Sequence, residues 1–215
     1  MSHKKLVVII LLGTAIFAGA VFYFGFFQKR PAHEILAKIN IDGVVITPAK
    51  EINDFHLTDN TGKPFSKQNM QGHWTLMFFG FTNCSMVCPV TMSALNQTYR
   101  ELEEQLPDNK LPMVIMVSVD PERDTVSKMN TYVPAFNPHF IGLSGKMSET
   151  VALEKQLHIA AVKVIPEGQP ASNYYYDHSA EILLFNPDAK LQAYLSYPHD
   201  EKQMVEDYKL ILNSV

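Results

Sequence analysis

Two apolar runs of strand length, with a helical pattern between them, constrain the fold of this chain more than any other feature. The runs are residues 75–81, TLMFFGF, and residues 111–120, LPMVIMVSVD, and both are too uniformly apolar for strands with one exposed face. Residues 90–106 between them carry apolar side chains at helical spacing. Strands buried on both faces occur mainly in parallel sheets that are covered by helices. The pattern therefore predicts a β-α-β unit and an α/β fold.

The segments on either side of this unit predict further strands and helices. Residues 54–66 have the alternation and the Asn-Thr-Gly turn of a β-hairpin, and residues 172–198 are expected to form strands with a turn at 186–188. Ser148 is expected to cap a helix within residues 147–159, MSETVALEKQLHI. An amphipathic helix is expected at the carboxyl end of the chain. This order predicts a mostly parallel central sheet with helices and an antiparallel edge.

The first thirty residues predict a membrane anchor. Residues 6–27 form an uncharged apolar run of 22 residues, and a helix of that length spans a hydrocarbon core about 30 Å thick. The apolar part of a cleaved signal peptide is only about 7–15 residues long, so we expect the anchor to be retained. We therefore expect a cytoplasmic tail at 1–5, a transmembrane helix at 6–27, a linker at 28–50 and a folded domain at 51–215.

The charge of the chain is unevenly distributed along it. Residues 1–30 hold four of the 18 basic residues and none of the 22 acidic residues, so residues 31–215 carry a formal net charge of −8. An acidic domain repels phosphate groups, which argues against nucleic-acid binding. The short basic tail favours a cytoplasmic amino terminus, and the acidic domain would then lie on the outer side of the membrane.

The only two cysteines of the chain, Cys84 and Cys88, are separated by three residues. Pro89 suits the first turn of a helix, so a helix is predicted to begin near Cys88, with Cys84 in the loop that follows the first buried strand. A helix amino terminus favours a thiolate over a thiol, and ligands of open α/β sheets gather at the carboxyl ends of strands. A disulfide across so short a loop would remove little chain entropy. The spacing leaves a redox pair and a metal site as alternatives.

His178 is the histidine that best complements the two cysteines. It precedes the apolar run ILLF, whereas the other histidines lie in peripheral segments or at the ends of predicted elements. Asp177 beside it could orient the imidazole ring. Two thiolates and an imidazole form a soft, three-coordinate set that suits Cu(I), or Cu(II) with an added ligand. A structural zinc site usually has four ligands, so copper is the metal that this set favours.

Three segments, in this order, resemble signature motifs of the Sco/SenC family: FFGFTNCSMVCPVT, VSVDPERDT and YYYDHSAEILLFNP. The resemblance covers roughly residues 50–215 and is far more specific than the cysteine spacing alone. It implies a thioredoxin-like fold, a membrane anchor and copper binding. It also implies a client, because the family assists assembly of the dinuclear copper centre of cytochrome c oxidase.

By position, the resemblance implies that Cys84, Cys88 and His178 are copper ligands and that Asp120 lies near the site. The chain departs from the family where Ser85 and Met86 replace a common Pro-Asp pair, which removes a carboxylate beside the thiols. The expected function is that of a copper chaperone at the outer face of the inner membrane, whose copper site is lost when the two cysteines form a disulfide. A thiol–disulfide oxidoreductase acting on the cysteines of the client is the alternative, and whether the chain is an enzyme stays open.

Overall fold

A computed structural model describes residue 17 and residues 40–214. The predicted tail at 1–5 and the predicted anchor at 6–27 lie outside the described residues, apart from position 17. Within the described part of the chain, no helix is both long enough and apolar enough to cross a membrane. Residues 39–215 form one compact unit.

The unit contains ten strands and four α-helices among its described residues. The strands are β1 (Gly43–Lys50), β2 (Leu57–Asp59), β3 (Pro64–Phe65), β4 (Thr75–Gly80), β5 (Met113–Ser118), β6 (Ile141–Ser144), β7 (Ala161–Val164), β8 (Tyr175–His178), β9 (Ile182–Phe185) and β10 (Leu191–Leu195). The helices are α1 (Val87–Gln105), α2 (Val126–Tyr132), α3 (Met147–Gln156) and α4 (Glu201–Leu212). Two 3₁₀ turns lie at Lys67–Met70 and Asp108–Lys110.

Eight strands form one sheet in the order β1-β10-β9-β4-β5-β6-β2-β3. Only β4–β5 and β5–β6 pair in parallel, and the other pairs are antiparallel. The prediction of a mostly parallel sheet with one antiparallel edge was therefore wrong. Hairpins flank the parallel centre on both sides, because the short connections before β3 and β10 allow only antiparallel pairing.

The predicted β-α-β unit is confirmed as the centre of this sheet. Strand β4 pairs with β5 in register from Thr75–Met113 to Gly80–Ser118, and α1 connects the two. All six residues of β4 are buried, as its uniformly apolar sequence predicts. Helix α1 packs against α4, and Leu95 and Leu102 on its apolar stripe are fully buried.

Strands β7 and β8 form a separate two-stranded antiparallel sheet. Strand β7 was not predicted, because only Ala161 and Val164 of its four residues are even half-buried, which leaves no strong apolar signal. Strand β8 ends at His178, so this hairpin carries the candidate metal ligand outside the main sheet.

Two local predictions differ from the structure. Ser148 does not cap α3, because the helix begins at Met147 with Lys146 at the capping position and no side-chain cap. Residues 43–50, the end of the expected linker, form the edge strand β1, which pairs with β10. The sheet therefore begins before residue 51, where the folded domain was expected to start.

Candidate metal centre

The two cysteines lie where β4 ends and α1 begins. Cys84 is half-buried in the connecting loop, where its amide donates to the carbonyl of Phe81 at 3.2 Å. Cys88 is fully buried in the first turn of α1, which starts at Val87 as the position of Pro89 predicts. The backbone N–H of Cys88 points at the Cys84 sulfur, with an N···Sγ distance of 3.4 Å. The amino terminus of α1 thus faces one sulfur with its unpaired donors.

His178 reaches the same place from the β7–β8 hairpin. Its Nε2 atom lies 3.5 Å from Cys88 Sγ, and its Nδ1 atom lies 2.8 Å from the carbonyl oxygen of Ser179. A carbonyl only accepts, so Nδ1 carries the proton in neutral His178 and Nε2 presents its lone pair to the sulfurs. Phe78 and Phe81 contact the imidazole edge-on, with centroid distances of 6.0 and 5.8 Å. These contacts leave Nε2 as the free ring nitrogen on the side of the cysteines.

Cys84, Cys88 and His178 form a group whose ligand atoms all lie within 4.8 Å of one another. Ligands at the metal distances of about 2.0–2.3 Å seen for zinc, spread over a three-coordinate plane, lie about 3.7–4.0 Å apart. The observed separation of the atoms is therefore close to what one metal ion requires. Two sulfurs and an imidazole are the donors that favour copper over magnesium or calcium.

The two thiols have opposite electrostatic environments. A hydrogen bond from Cys88, together with the contact with His178 and the amides of Cys88 and Met86, lowers the pKa of Cys84 from 9.0 to about 3 despite its partial burial. The same interaction with Cys84, together with burial, raises the pKa of Cys88 well above its ordinary value. The first thiolate therefore forms at Cys84, the more accessible sulfur.

The two aspartates expected near the site have different surroundings. Asp120 is fully buried at the end of β5, where its carboxylate is bound by Arg123 and accepts a hydrogen bond from the Tyr174 hydroxyl at 3.0 Å. Asp177 is exposed on β8, and the next residue on a strand points to the opposite face. The carbonyl of Ser179, not a carboxylate, accepts the hydrogen bond from His178.

Two buried carboxyl groups near the site were not singled out from the sequence. Asp124 is fully buried and accepts hydrogen bonds from Ser118 and from the amide and hydroxyl of Thr82, which fixes the start of the cysteine loop. Burial raises the pKa of Glu154 on α3 to about 7, and the nearby His178 partly opposes this shift. The sequence signal for Asp124 was its place in DPERDT, whereas Glu154 carries no distinguishing pattern.

The fold and the site together define an α/β protein with a thiolate–imidazole cluster at the carboxyl end of a parallel strand. Comparison with known proteins identifies its family. The SCO1/SenC family profile matches residues 45–213. The chain belongs to the SCO1/SenC family, and its thioredoxin-like fold is the one found in solved Sco structures.

Three relatives illustrate how far the similarity extends. The mouse protein SCO2 homolog, mitochondrial, is 37% identical over 156 residues, which cover 73% of this chain and 60% of the relative. A Stutzerimonas stutzeri protein described as copper-binding is 30% identical over 156 residues, which cover 72% of this chain and 74% of the relative. The crystal structure of Arabidopsis thaliana ScoI with copper bound has a TM-score of 0.67 and 28% identity, over 75% of this chain and 98% of that chain.

Proposed function

We propose that this chain binds copper through Cys84, Cys88 and His178 and assists assembly of the dinuclear copper centre of cytochrome c oxidase. The observation that carries the proposal is the convergence of the three ligand atoms within 4.8 Å. Relatives with copper bound or with copper binding in their description support the choice of metal. The low pKa of Cys84 supports it further, because copper binds the thiolate and not the thiol.

The proposal places the copper-binding domain at the outer face of an inner membrane. The uncharged run at 6–27 would anchor the chain, with residues 1–5 in the cytoplasm and a connector leading to the folded domain. The mitochondrial SCO2 homologue of mouse supports a membrane-associated location. The client would be the copper-bearing subunit of the oxidase or a similar cuproprotein.

Copper is cargo in this proposal and leaves by ligand exchange. A thiolate of the client forms a bond to Cu(I) as the bond to Cys84 breaks, since Cys84 is the accessible sulfur and Cys88 is buried. A second client ligand then displaces Cys88, and His178 is released last or in the same step. No electron is transferred, so copper keeps its oxidation state and both cysteines end as thiolates or take up protons from water.

Replacing His178 by alanine tests the ligand assignment. We expect His178→Ala to weaken copper binding by the reduced full chain at least about 10-fold and to change the sulfur-to-copper absorption of the Cu(II) form, because one of three ligands is lost. The measurement is competition with a chromophoric chelator, followed by absorption spectra at saturation. His139→Ala is the matched control, since this exposed histidine stacks on Tyr99 away from the site. An unchanged affinity and spectrum in His178→Ala would exclude the proposed site.

Enlarging Gly80 tests how tightly Cys88 is held. A Cβ atom at Gly80 would lie 2.7 Å from Phe78 Cε1 and 3.1 Å from Cys88 Sγ. Both neighbours are fully buried, so we expect Gly80→Ala to destabilise the fold by about 1–3 kcal/mol and to weaken copper binding as well. Urea unfolding and the same chelator competition measure the two effects.

Gly142→Ala is the control for overpacking outside the site. Gly142 lies on β6, and a Cβ atom there would lie 3.0 Å from the buried side chains of Met129 and Val133. This variant should lose stability and keep its copper affinity. Equal copper affinity in both glycine variants would contradict the proposed placement of Cys88.

A thiol–disulfide oxidoreductase is the second candidate, and the asymmetry of the cysteine pair favours it. An accessible thiolate at Cys84 beside a buried thiol at Cys88 is the arrangement of an attacking and a resolving cysteine. In that case the chain would reduce a disulfide of the client, forming its own disulfide while two protons and two electrons pass to the client. His178 is dispensable for this reaction, so reductase activity that survives His178→Ala and is lost in Cys84→Ser would favour the second candidate.

A further inference from the structure

The hairpin that carries His178 is not part of the main sheet. Strands β7 and β8 pair only with each other among the described strands, and the eight-stranded sheet ends at β1 on one side and β3 on the other. The pairing of β7 with β8 therefore does not itself fix the distance between His178 and the two cysteines, which lie in the loop after β4 and in α1. Residues 179–181 connect His178 to β9, which pairs with β4, and side-chain contacts hold the rest of the hairpin.

One cluster of side chains joins the hairpin to the loop that follows β5. The hydroxyl of Tyr174 donates to Asp120 at 3.0 Å, and Arg123 Nη1 donates to the carbonyl oxygen of Tyr174 at 2.9 Å. Arg123 also binds the other carboxylate oxygen of Asp120 through Nε. The guanidinium carbon of Arg123 lies 3.6 Å from the centroid of the Tyr174 ring, and Lys163 Nζ lies 3.7 Å from it.

The geometry of this cluster places the Tyr174 ring between two cations. Two cationic groups cannot share one position above a ring, so Arg123 and Lys163 lie on opposite faces. Lys163 comes from β7 and also pairs with Glu122 at 3.3 Å. Tyr174 is thus held by ring faces, hydroxyl and backbone carbonyl at once. We call Asp120, Arg123, Lys163 and Tyr174 the Tyr174 clamp.

The clamp satisfies the carboxylate of Asp120 and leaves Arg123 Nη2 without a hydrogen-bond partner among the described residues. Asp120 is fully buried, and both of its carboxylate oxygens are bound within the clamp. Breaking the clamp at Tyr174 would leave a buried carboxylate with one partner fewer. Because the phenol has a raised pKa of about 12, mainly through loss of water contact and its bond to Asp120, it stays protonated and able to donate at neutral pH.

We propose that the Tyr174 clamp positions His178 for metal binding by holding the β7–β8 hairpin against the loop after β5. His178 lies four residues beyond Tyr174, and β8 (Tyr175–His178) connects the two, so the clamp and the ring contacts of His178 with Phe78 and Phe81 hold the two ends of β8. Tyr174 is a positioning residue and touches no metal. The inference rests on the proposed copper site and extends it to the residues that set its geometry.

The test compares Tyr174→Leu, Tyr174→Phe and Tyr175→Leu in the reduced full chain in detergent. Tyr174→Leu should weaken Cu(I) binding about 10–100-fold, the range seen when groups that orient a ligand are removed. Tyr174→Phe keeps the ring between the two cations and should recover part of that loss. Tyr175→Leu is the matched control, because Tyr175 is the next residue on β8 and is 47% exposed. It should bind copper as the parent does.

A double-mutant cycle separates positioning of His178 from a general effect on the fold. In the His178→Ala background, Tyr174→Leu should have no further effect on copper affinity, because the group it positions is gone. A loss of the same size in both backgrounds, or parental affinity in Tyr174→Leu, would overturn the inference.

Hydrogen exchange of the metal-free chain tests the clamp without copper. Amides of residues 161–178 should exchange faster in Tyr174→Leu than in Tyr175→Leu, and those of β4 and β5 should not change. If the parent chain fails to bind copper through thiolates, the proposed function fails, and this exchange measurement still decides whether the clamp holds the hairpin. Unchanged exchange in the hairpin would overturn the clamp itself.

Discussion

Cys84 in the native, reduced chain is expected to react with iodoacetamide at a rate that hardly changes between about pH 5 and about pH 8. The pKa of Cys84 is lowered to about 3, so its sulfur is a thiolate across this whole range. An ordinary thiol with a pKa of about 8.5 is roughly 0.03% thiolate at pH 5 and roughly a quarter thiolate at pH 8, so its rate rises nearly 1000-fold. The flat profile is the expected signature.

The absolute rate at which Cys84 reacts with iodoacetamide is weaker evidence for a thiolate than the pH dependence of that rate. Nucleophilicity falls with pKa, with a slope of about 0.4–0.5, so a thiolate with a low pKa attacks more slowly than an ordinary one. At pH 5 the gain in thiolate population exceeds this loss, and Cys84 should react faster than the same cysteine in the unfolded chain. At pH 8 the order should reverse. Peptide mass spectrometry after short reaction times assigns the modified residue.

Unfolding the chain and replacing Cys88 provide the controls. In denaturant both cysteines should show the steep profile of an ordinary thiol. Cys88→Ala removes the hydrogen bond that lowers the pKa of Cys84 most, so the rate should become pH-dependent at the acidic end of the range. A native Cys84 whose rate rises about tenfold per pH unit throughout would show that the helix terminus and Cys88 do not stabilise its thiolate.

The centre of the fold could be predicted because its sequence leaves little choice. A strand buried on both faces, such as β4, must be uniformly apolar, and the long helix that follows it must carry an apolar stripe. Strand directions were harder, because the apolar pattern of β9 and β10 is compatible with either direction. The short turn at 186–188 already implied antiparallel pairing there, but not that β9 would join β4.

The sequence predicted the ligand residues of the candidate site but not the side-chain contacts that surround them. Cys84, Cys88 and His178 were selected for the chemistry of their side chains, and the structure brings their ligand atoms together. The role of Asp120 was unspecified, because its partner Tyr174 is 54 residues away in the sequence. The sequence did not predict strand β7 or the role of the Tyr174 ring, because exposed and half-buried residues leave no periodic apolar pattern. Copper binding by these residues stays a prediction.

Closing the Cys84–Cys88 disulfide is expected to abolish measurable copper binding. The proposed site has three ligands, and a disulfide removes both thiolates, so we expect an affinity loss of at least about 1000-fold. A disulfide needs sulfur atoms about 2.05 Å apart, whereas the reduced sulfurs lie within 4.8 Å of each other. Cys84 is half-buried in a loop and Cys88 is fully buried in α1, so we expect Cys84 to make the larger movement when the disulfide closes. Oxidised and reduced samples of the full chain, titrated anaerobically with Cu(I) against a chelator, measure the difference.

The cysteine content of the chain makes this experiment unambiguous. With only two cysteines, a count of free thiols reports on this pair alone, and non-reducing electrophoresis separates the internal disulfide from a linked dimer. Adding a thiol-free reductant to the oxidised sample should restore both thiols and the full copper capacity, which excludes irreversible oxidation as the cause. Oxidised chain that still holds one equivalent of copper as tightly as the reduced chain would place the metal elsewhere. His178 would then lie beside a redox pair, and thiol–disulfide exchange would become the better account of the site.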